Sequence, residues 1–448
     1  MSVVLNKKVM TTGTNKEKVS AIKLIKELPY KEFAEIASET NVDYKAKKLR
    51  GIDLIVDLII AMLSSSQVSQ RIISMKNGLP VFEDIADVAC VNRSAVSHSS
   101  LSERLAKVNI DFFKYSYEML CKKYHRFVPE YVLDDMRITR VDSTMVAETA
   151  NKLQQGFNTG INNNIDKSRR QLKYTMAYNG LNVTCARIFT AQTHSADNSP
   201  LSKVVLQNLR KRDGMSDCYV FDRALKDVDD LKEIAQRTKE KEAFFVGRLN
   251  LSRRTDAVKS LLDRNKQLTD SEIEVTDDYM GYLRAKDSQK WDKSTVYRII
   301  RVRFIKPRPR SPRKSRRHAR HYDEEMVLIS NNFDIEALEL VNYYRRRWDI
   351  EVFFKFLKQD LSFSHFISTT VHGITVMLYM TLIVALIIKI YCVTHDMGPR
   401  LAKIAIMDEI AVYQYHCLKR LEQKSREQDH EIKRLRDRLM KMTLSSDH

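Results

Sequence analysis

Cysteine is scarce and unpatterned. The six residues, at 90, 121, 185, 218, 392 and 417, form no CxxC pair and no ligand-like spacing with histidine. That leaves no disulfide framework or cysteine zinc module to propose, and points to reduced, mostly buried thiols of a cytosolic protein. The opening MSVVLNKKVMTTGTNKEK lacks an apolar core adequate for a signal peptide, so export is not expected. Long apolar runs are also lacking, with one exception at 374–391, ITVMLYMTLIVALIIKIY, which approaches membrane-spanning length. Lys389 interrupts it and basic, soluble-looking sequence flanks it. A helix apolar on every side also suits burial between a sheet and its neighbours, and burial is the expectation. Acidic residues are in deficit, 57 against 76 Lys and Arg, giving a net charge of +19 and a pI near 9.5. The partner implied is polyanionic, nucleic acid before an anionic membrane. A hydrophobic content of 43% excludes wholesale disorder, and 448 residues suffice for two or three domains with real cores.

The chemistry concentrates in YRRRWDIEVFFKFLK (344–358). Tyr344, Arg347, Glu351 and Lys358 lie at offsets of three, seven and fourteen residues, which fall within about 60° of one another on a continuous helix. A carboxylate flanked by two cations and a phenol suits a site that handles both metal and phosphate. A solvated salt-bridge face has the same spacing. Two aspartates add to the pattern. RITRVDSTMV (137–146) alternates like a strand, with Asp142 near its middle, and DCYVFDRAL carries a short buried strand ending at Asp222. Either aspartate alone also reads as a turn or cap residue. Together with Glu351 they form a triple of carboxylates that repel one another. Such a cluster raises a pKa or demands a cation, for which Mg²⁺ with its oxygen preference is suited.

The Tyr, Arg, Glu, Lys series resembles the YREK signature of the insertion-sequence transposases of family four, a DDE-type, cut-and-paste group. Asp222-Arg223 matches that family's second acidic motif, and the likeness spans roughly 131–391 on three short motifs. The resemblance implies an RNase H-like α/β catalytic core. It also implies two Mg²⁺ ions, with Mn²⁺ as a substitute, held by Asp142, Asp222 and Glu351. Tyr344, Arg347 and Lys358 then contact phosphates of the cleaved strand. The substrates implied are double-stranded DNA, the element's terminal inverted repeats and a target, bound by a homodimer at the nucleoid of a prokaryotic cytoplasm. Related transposases pass through a DNA hairpin, helped by an extruded base stacked on an aromatic residue. Here the strand EEMVLIS lacks Trp. Trp291 and Tyr322 are the nearest aromatic candidates, and Trp348 is expected to pack inside the YREK helix.

Along the chain, residues 1–130 read as a helical N-terminal DNA-binding region with IDLIVDLIIAML (52–63) as its core helix. Within it, 81–108 has a helix-turn-helix cadence: a helix over 82–90, a turn at Val91-Asn92, and a second helix over 94–105. An ordinary helical hairpin fits equally, since the turn has no Gly. Residues 131–250 supply the first part of the core. Residues 251–330 read as a β-rich insertion carrying a basic arm, KPRPRSPRKSRRHARH (306–321). In that arm Arg308, Arg310, Arg313, Lys314, Arg316 and Arg317 are placed to contact phosphate. Residues 331–395 hold the YREK helix and the apolar helix. The tail, 396–448, has a heptad seam at Leu418, Leu421, Ser425, Gln428, Ile432, Leu435, Leu439 and Met442, which pairs two protomers or packs on its own chain. A non-catalytic, domesticated DNA-binding protein fits the same charge but has no need of three carboxylates. A tyrosine recombinase would use YYRRRW without the Asp, Asp, Glu series.

Overall fold

The computed structural model describes residues 18–46, 49–76, 81–91, 96–124, 132–133, 136–148, 152–158, 170–209, 216–284, 291–305 and 325–444. The basic arm and Tyr322 lie outside the described residues. The chain divides into two units. One comprises Met1–Phe127, Asp360–Ser362 and Val376–His448, and the other Val128–Gln359 and Phe363–Thr375.

The first unit opens with helices α1 (Ala21–Lys26), α2 (Tyr30–Glu39), α3 (Gly51–Ser64), α4 (Gln70–Lys76), α5 (Val81–Ala89), α6 (His98–Lys107) and α7 (Ile110–Tyr124). The apolar 52–63 run becomes α3, buried almost throughout. Asp53, in its first turn, accepts the Arg50 backbone N–H at 2.7 Å, which satisfies an orphan donor at the helix start. The expected helix-turn-helix differs in its spacing. Helix α5 stops at Ala89, and Cys90 takes a φ of 52°, the left-handed conformation a glycine would otherwise supply. The second helix starts at His98 rather than Ser94, because Ser97 caps it by accepting the Ser100 N–H at 3.2 Å. The end of α5 and the start of α6 are thus nine positions apart, wider than the expected spacing, and Asn92 of the expected turn lies outside the described residues.

The second unit is a mixed α/β fold on one large sheet. Its strands are β1 (Val132–Leu133), β2 (Met136–Ala147), β3 (Phe157–Asn158), β4 (Arg170–Tyr178), β5 (Val183–Phe189), β6 (Ser216–Phe221), β7 (Phe244–Leu249), β8 (Thr255–Ser260), β9 (Ile273–Arg284), β10 (Trp291–Phe304) and β11 (Glu325–Ser330). The order is β3-β4-β2-β6-β7-β11-β10-β9-β8, with β1 on β2 and β5 on β4. Strands β5, β4 and β2 run antiparallel, whereas β2, β6 and β7 are parallel. Parallel neighbours need a crossover, which α8 (Asn198–Asn208) and α9 (Val228–Glu240) supply. The strands anticipated over 251–330 do form, but they do not make a separate module. Strand β11 pairs antiparallel with β7, so β8 to β11 extend the core sheet itself.

Side-chain alternation gives the sheet two apolar faces. Val141, Tyr219, Phe221 and Phe245 pack in one cluster with residues of α8 and α9. Ile138, Cys218, Val220, Phe244 and Val246 face the other way, against α10 (Ala337–Arg345). Each such side chain, fully buried, contributes about 1.5–3 kcal/mol. Gly247 on β7 lies opposite Phe221 on β6, and a Cβ there would collide with the Phe221 ring. The connection between β8 and β9 also anchors α10: its Ala337 N–H donates to Asn265 at 2.8 Å, and Arg345 pairs with Asp270 at 2.9 Å.

Helix α10 ends at Arg345, and α11 (Trp348–Asp360) begins after two turn residues, so the expected single YREK helix is two helices with a break at 346–347. Trp348 is 59% exposed, not packed inside. The apolar run becomes α12 (Val371–His395), the one helix among the described residues long and apolar enough to cross a membrane, and 83% of its most apolar window is buried. Most of it, from Val376 on, belongs to the helical unit rather than the sheet unit. Helix α13 (Pro399–Leu444) follows, and among its described side chains the buried ones lie in the first half, Ala402, Lys403, Ile406 and Ile410 among them. Lys403 donates to the carbonyls of Met62 and Leu63, so it closes the C-terminal end of α3.

Candidate active site

The alternation that builds the sheet also aims the acids. On β2 the even-numbered residues Ile138, Arg140 and Asp142 share the face toward α10, as do Cys218 and Val220 on β6. Val141 pairs with Phe221 across the parallel ladder, so Asp142 and Asp222 are the next positions along on adjacent strands. The crevice beyond the carboxyl ends of parallel strands is where open α/β sheets place ligands. Asp222 leaves β6 into a tight turn, with its carboxylate accepting the Ala224 N–H at 3.3 Å.

Glu351 reaches the same region from the first turn of α11. Arg347, in the break, stands between the acids: its Nη2 lies 2.6 Å from the Glu351 carboxylate and its Nη1 3.6 Å from that of Asp142. The guanidinium also lies 5.9 Å from the centre of the Tyr344 ring. Its Nε and Nη1 are buried without a hydrogen-bond partner. Tyr344 itself sits in the core packed on the sheet, and burial raises its phenol.

An open cleft of about 370 Å³ lies alongside, lined by Asp142, Ser143, Thr144, Glu351, Phe354, Lys355, Lys358 and Gln359. Lys358 donates to the Met145 carbonyl at 3.0 Å, which ties α11 to the end of β2, and burial lowers its ammonium pKa. Tyr344 and Asp222 do not line the cleft. The anticipated strip of four is thus divided, with Glu351 and Lys358 on the cleft, Arg347 between the acids and Tyr344 in the core. The helix break accounts for the division.

Burial, joined by the negative charge of Asp222 and Glu351, pushes the Asp142 carboxyl up to about 7 against the lowering by Arg347 and the Ser143 N–H. Among the described residues no three His, Cys, Asp or Glu side chains converge into a metal-ligand group. The chemistry of the donors nonetheless suits a hard divalent cation. They are all oxygens, and one carboxyl holds its proton near neutrality unless positive charge reaches it. Between pH 4 and 7 the folded state therefore keeps a proton on Asp142 that the unfolded chain has lost. This contribution to stability is full below about pH 4 and falls by up to about 4 kcal/mol as pH rises to 7. Asp142→Asn should flatten that part of the curve, as read by urea unfolding at pH 5 and pH 8. A slope identical to wild type would mean the carboxyl is not held in its raised state.

Sequence reasoning missed three contributors. Lys355 lines the cleft, and its place one turn after Glu351 was the available signal. Arg140, fully buried, pairs behind the acids with Asp349, which is partly exposed, a contact that no local pattern announces.

A family model described as a transposase DDE domain matches residues 134–387, more than half of the chain. No curated protein matches significantly. Among solved structures, the chain is similar to the cryo-EM structure of the piggyBac transposase synaptic complex with hairpin DNA. That match has 11% identity and a TM-score of 0.40, and covers 91% of this chain and 83% of that one.

Proposed function

Because the chain belongs to the transposase DDE domain family, we propose that it moves an insertion sequence by cut-and-paste transposition, cleaving and rejoining double-stranded DNA at the element's ends. The observation that carries the reading is the meeting of Asp142 and Glu351, 209 positions apart, on either side of one guanidinium beside a lysine-lined cleft. The antiparallel β5-β4-β2 set continued by parallel β6 and β7 supports an RNase H-like core. The Tyr344, Arg347, Glu351, Lys358 series supports membership of family four.

Asp142, Asp222 and Glu351 are the residues that would hold Mg²⁺ or Mn²⁺, which when bound polarises a phosphate and lowers the pKa of an attacking hydroxyl. The chain's own part is positioning and charge. Asp142 gives up its proton once positive charge compensates it. Lys355 and Lys358 neutralise phosphate oxygens of DNA lying in the cleft, and Arg347 offers to the scissile phosphate its Nε and its Nη1, neither hydrogen-bonded, the latter 3.6 Å from Asp142. The arm at 306–321, outside the described residues, and the N-terminal helices extend the DNA contact. The exposed apolar residues Leu418, Leu421 and Ile432 on α13 support pairing of two protomers on DNA. The setting is the prokaryotic cytoplasm, at the nucleoid, and the burial of α12 supports a protein that does not enter the membrane.

The test is incubation with DNA carrying the element's ends and Mg²⁺, scored for nicked, hairpinned or joined products. Binding without any cleaved product would favour the non-catalytic, domesticated reading. Lys355→Ala and Lys358→Ala should each reduce the slope of log affinity against log salt by about 0.9, one phosphate contact apiece. An unchanged slope would take the cleft out of the DNA path.

A further inference from the structure

Arg140 is the largest fully buried side chain of the sheet unit, and every one of its hydrogen bonds points at the site's framework. Its Nη1 donates to the Ile138 carbonyl of its own strand at 2.6 Å. Its Nε donates to the Arg346 carbonyl at 3.1 Å, and its Nη2 to the Asp349 carboxylate at 2.7 Å. These two acceptors bracket the helix break on either side of Arg347. Arg346 closes α10, and its carbonyl also accepts the backbone N–H of Asp349 at 3.0 Å; Asp349 stands in the first turn of α11. On the strand, Arg140 precedes Asp142 by two residues and points the same way. On the helix, Asp349 precedes Glu351 by two. One planar guanidinium therefore joins the strand that carries one acid to the break and helix that carry the arginine and the other acid.

We propose that Arg140 and Asp349 act together as a strut that sets the separation of Asp142 from Arg347 and Glu351, making both positioning residues for strand cleavage. The proposal rests on the catalytic reading of those acids. A planar fork with donors in fixed directions suits this task better than a flexible ammonium, because three acceptors are met at once. Nothing in the strut touches the cleft, so its effect reaches the reaction only through the residues it holds. A displacement of about 1 Å in a reacting geometry costs about a hundredfold in rate, and a loosened helix start would permit that much.

Asp349 is partly exposed, with its side chain 38% accessible, and asparagine keeps an acceptor for the Arg140 Nη2, so Asp349→Asn perturbs the fold less than substitution of fully buried Arg140. The full-length variants D349N, D349E and R140K are compared with D142N. The measurements are DNA-end cleavage with Mg²⁺, DNA affinity by anisotropy, Mn²⁺ affinity by electron paramagnetic resonance, and thermal unfolding. The expected result for D349N is cleavage reduced about 10- to 100-fold and Mn²⁺ bound about tenfold more weakly, with DNA affinity near wild type and an unfolding temperature that is lowered but stays above the assay temperature. D349E should recover part of both losses, and a purely structural contact would not give that pattern. Wild-type cleavage and Mn²⁺ affinity in D349N, beside an inactive D142N, would overturn the strut alone. A D142N protein that still cleaves would overturn the catalytic reading and the strut with it.

Discussion

Asp142→Asn is expected to abolish strand cleavage, by a factor on the order of 10³–10⁴, while DNA affinity stays within about twofold of wild type. The substitution keeps the shape of the side chain and the acceptor for the Ser143 N–H, which lies 2.8 Å from the carboxylate. What it removes is the negative charge that a divalent cation needs and that Arg347 meets in its absence. Asp222→Asn and Glu351→Gln should lose cleavage to a similar extent, since the three act as one unit and their losses will not add. DNA affinity should survive, because the charges that attract phosphate are Lys355, Lys358 and the basic arm rather than the acids. Anisotropy with the element's ends and a gel assay for nicked strands separate the two quantities. Cleavage at more than a tenth of the wild-type rate in D142N would remove this carboxylate from the chemistry. A loss of binding with normal cleavage per bound complex would reverse the roles assigned.

The acids were legible in the sequence because each is marked by a simple strand pattern. Asp142 lies within the alternating run of β2, and Asp222 directly follows the four apolar residues of β6. Parallel pairing then makes them neighbours, a relation that follows from topology and not from either segment. Glu351 and Lys358 were legible from helical spacing, and both reach the cleft. The break at 346–347 was not, because YRRRW contains no proline or glycine to mark it. It is held by Arg140, 206 positions away from Arg346 in the chain, and contacts of that separation leave no local trace. The continuity of β8 to β11 with the core sheet was hidden for the same reason, since strand pairing is decided by partners. The apolar run at 374–391 announced a buried helix, but its uniform hydrophobicity gave no face from which its neighbours could be read.

Arg347→Gln is expected to reduce cleavage about a hundredfold or more and to change how the metal-free protein responds to pH. Two carboxylates lie within 4 Å of this guanidinium, and the centre of the Tyr344 ring lies 5.9 Å from it. Removing the charge takes away an influence that lowers the Asp142 pKa, so the carboxyl should titrate above its present value of about 7. The folded variant then keeps its Asp142 proton to higher pH, and the stretch over which stability falls with rising pH extends further into the alkaline range. Added Mg²⁺ should raise the unfolding temperature more in the variant than in wild type, because the ion no longer competes with an internal cation for the same oxygens. Arg347→Lys separates the two roles. Lysine restores the positive charge and should bring the pH response back toward wild type. It lacks the planar fork that offers several donors to one phosphate, so cleavage should remain low. If lysine restored cleavage along with the pH response, charge alone would account for Arg347, and the assignment of its buried Nε and Nη1 to the scissile phosphate would fail.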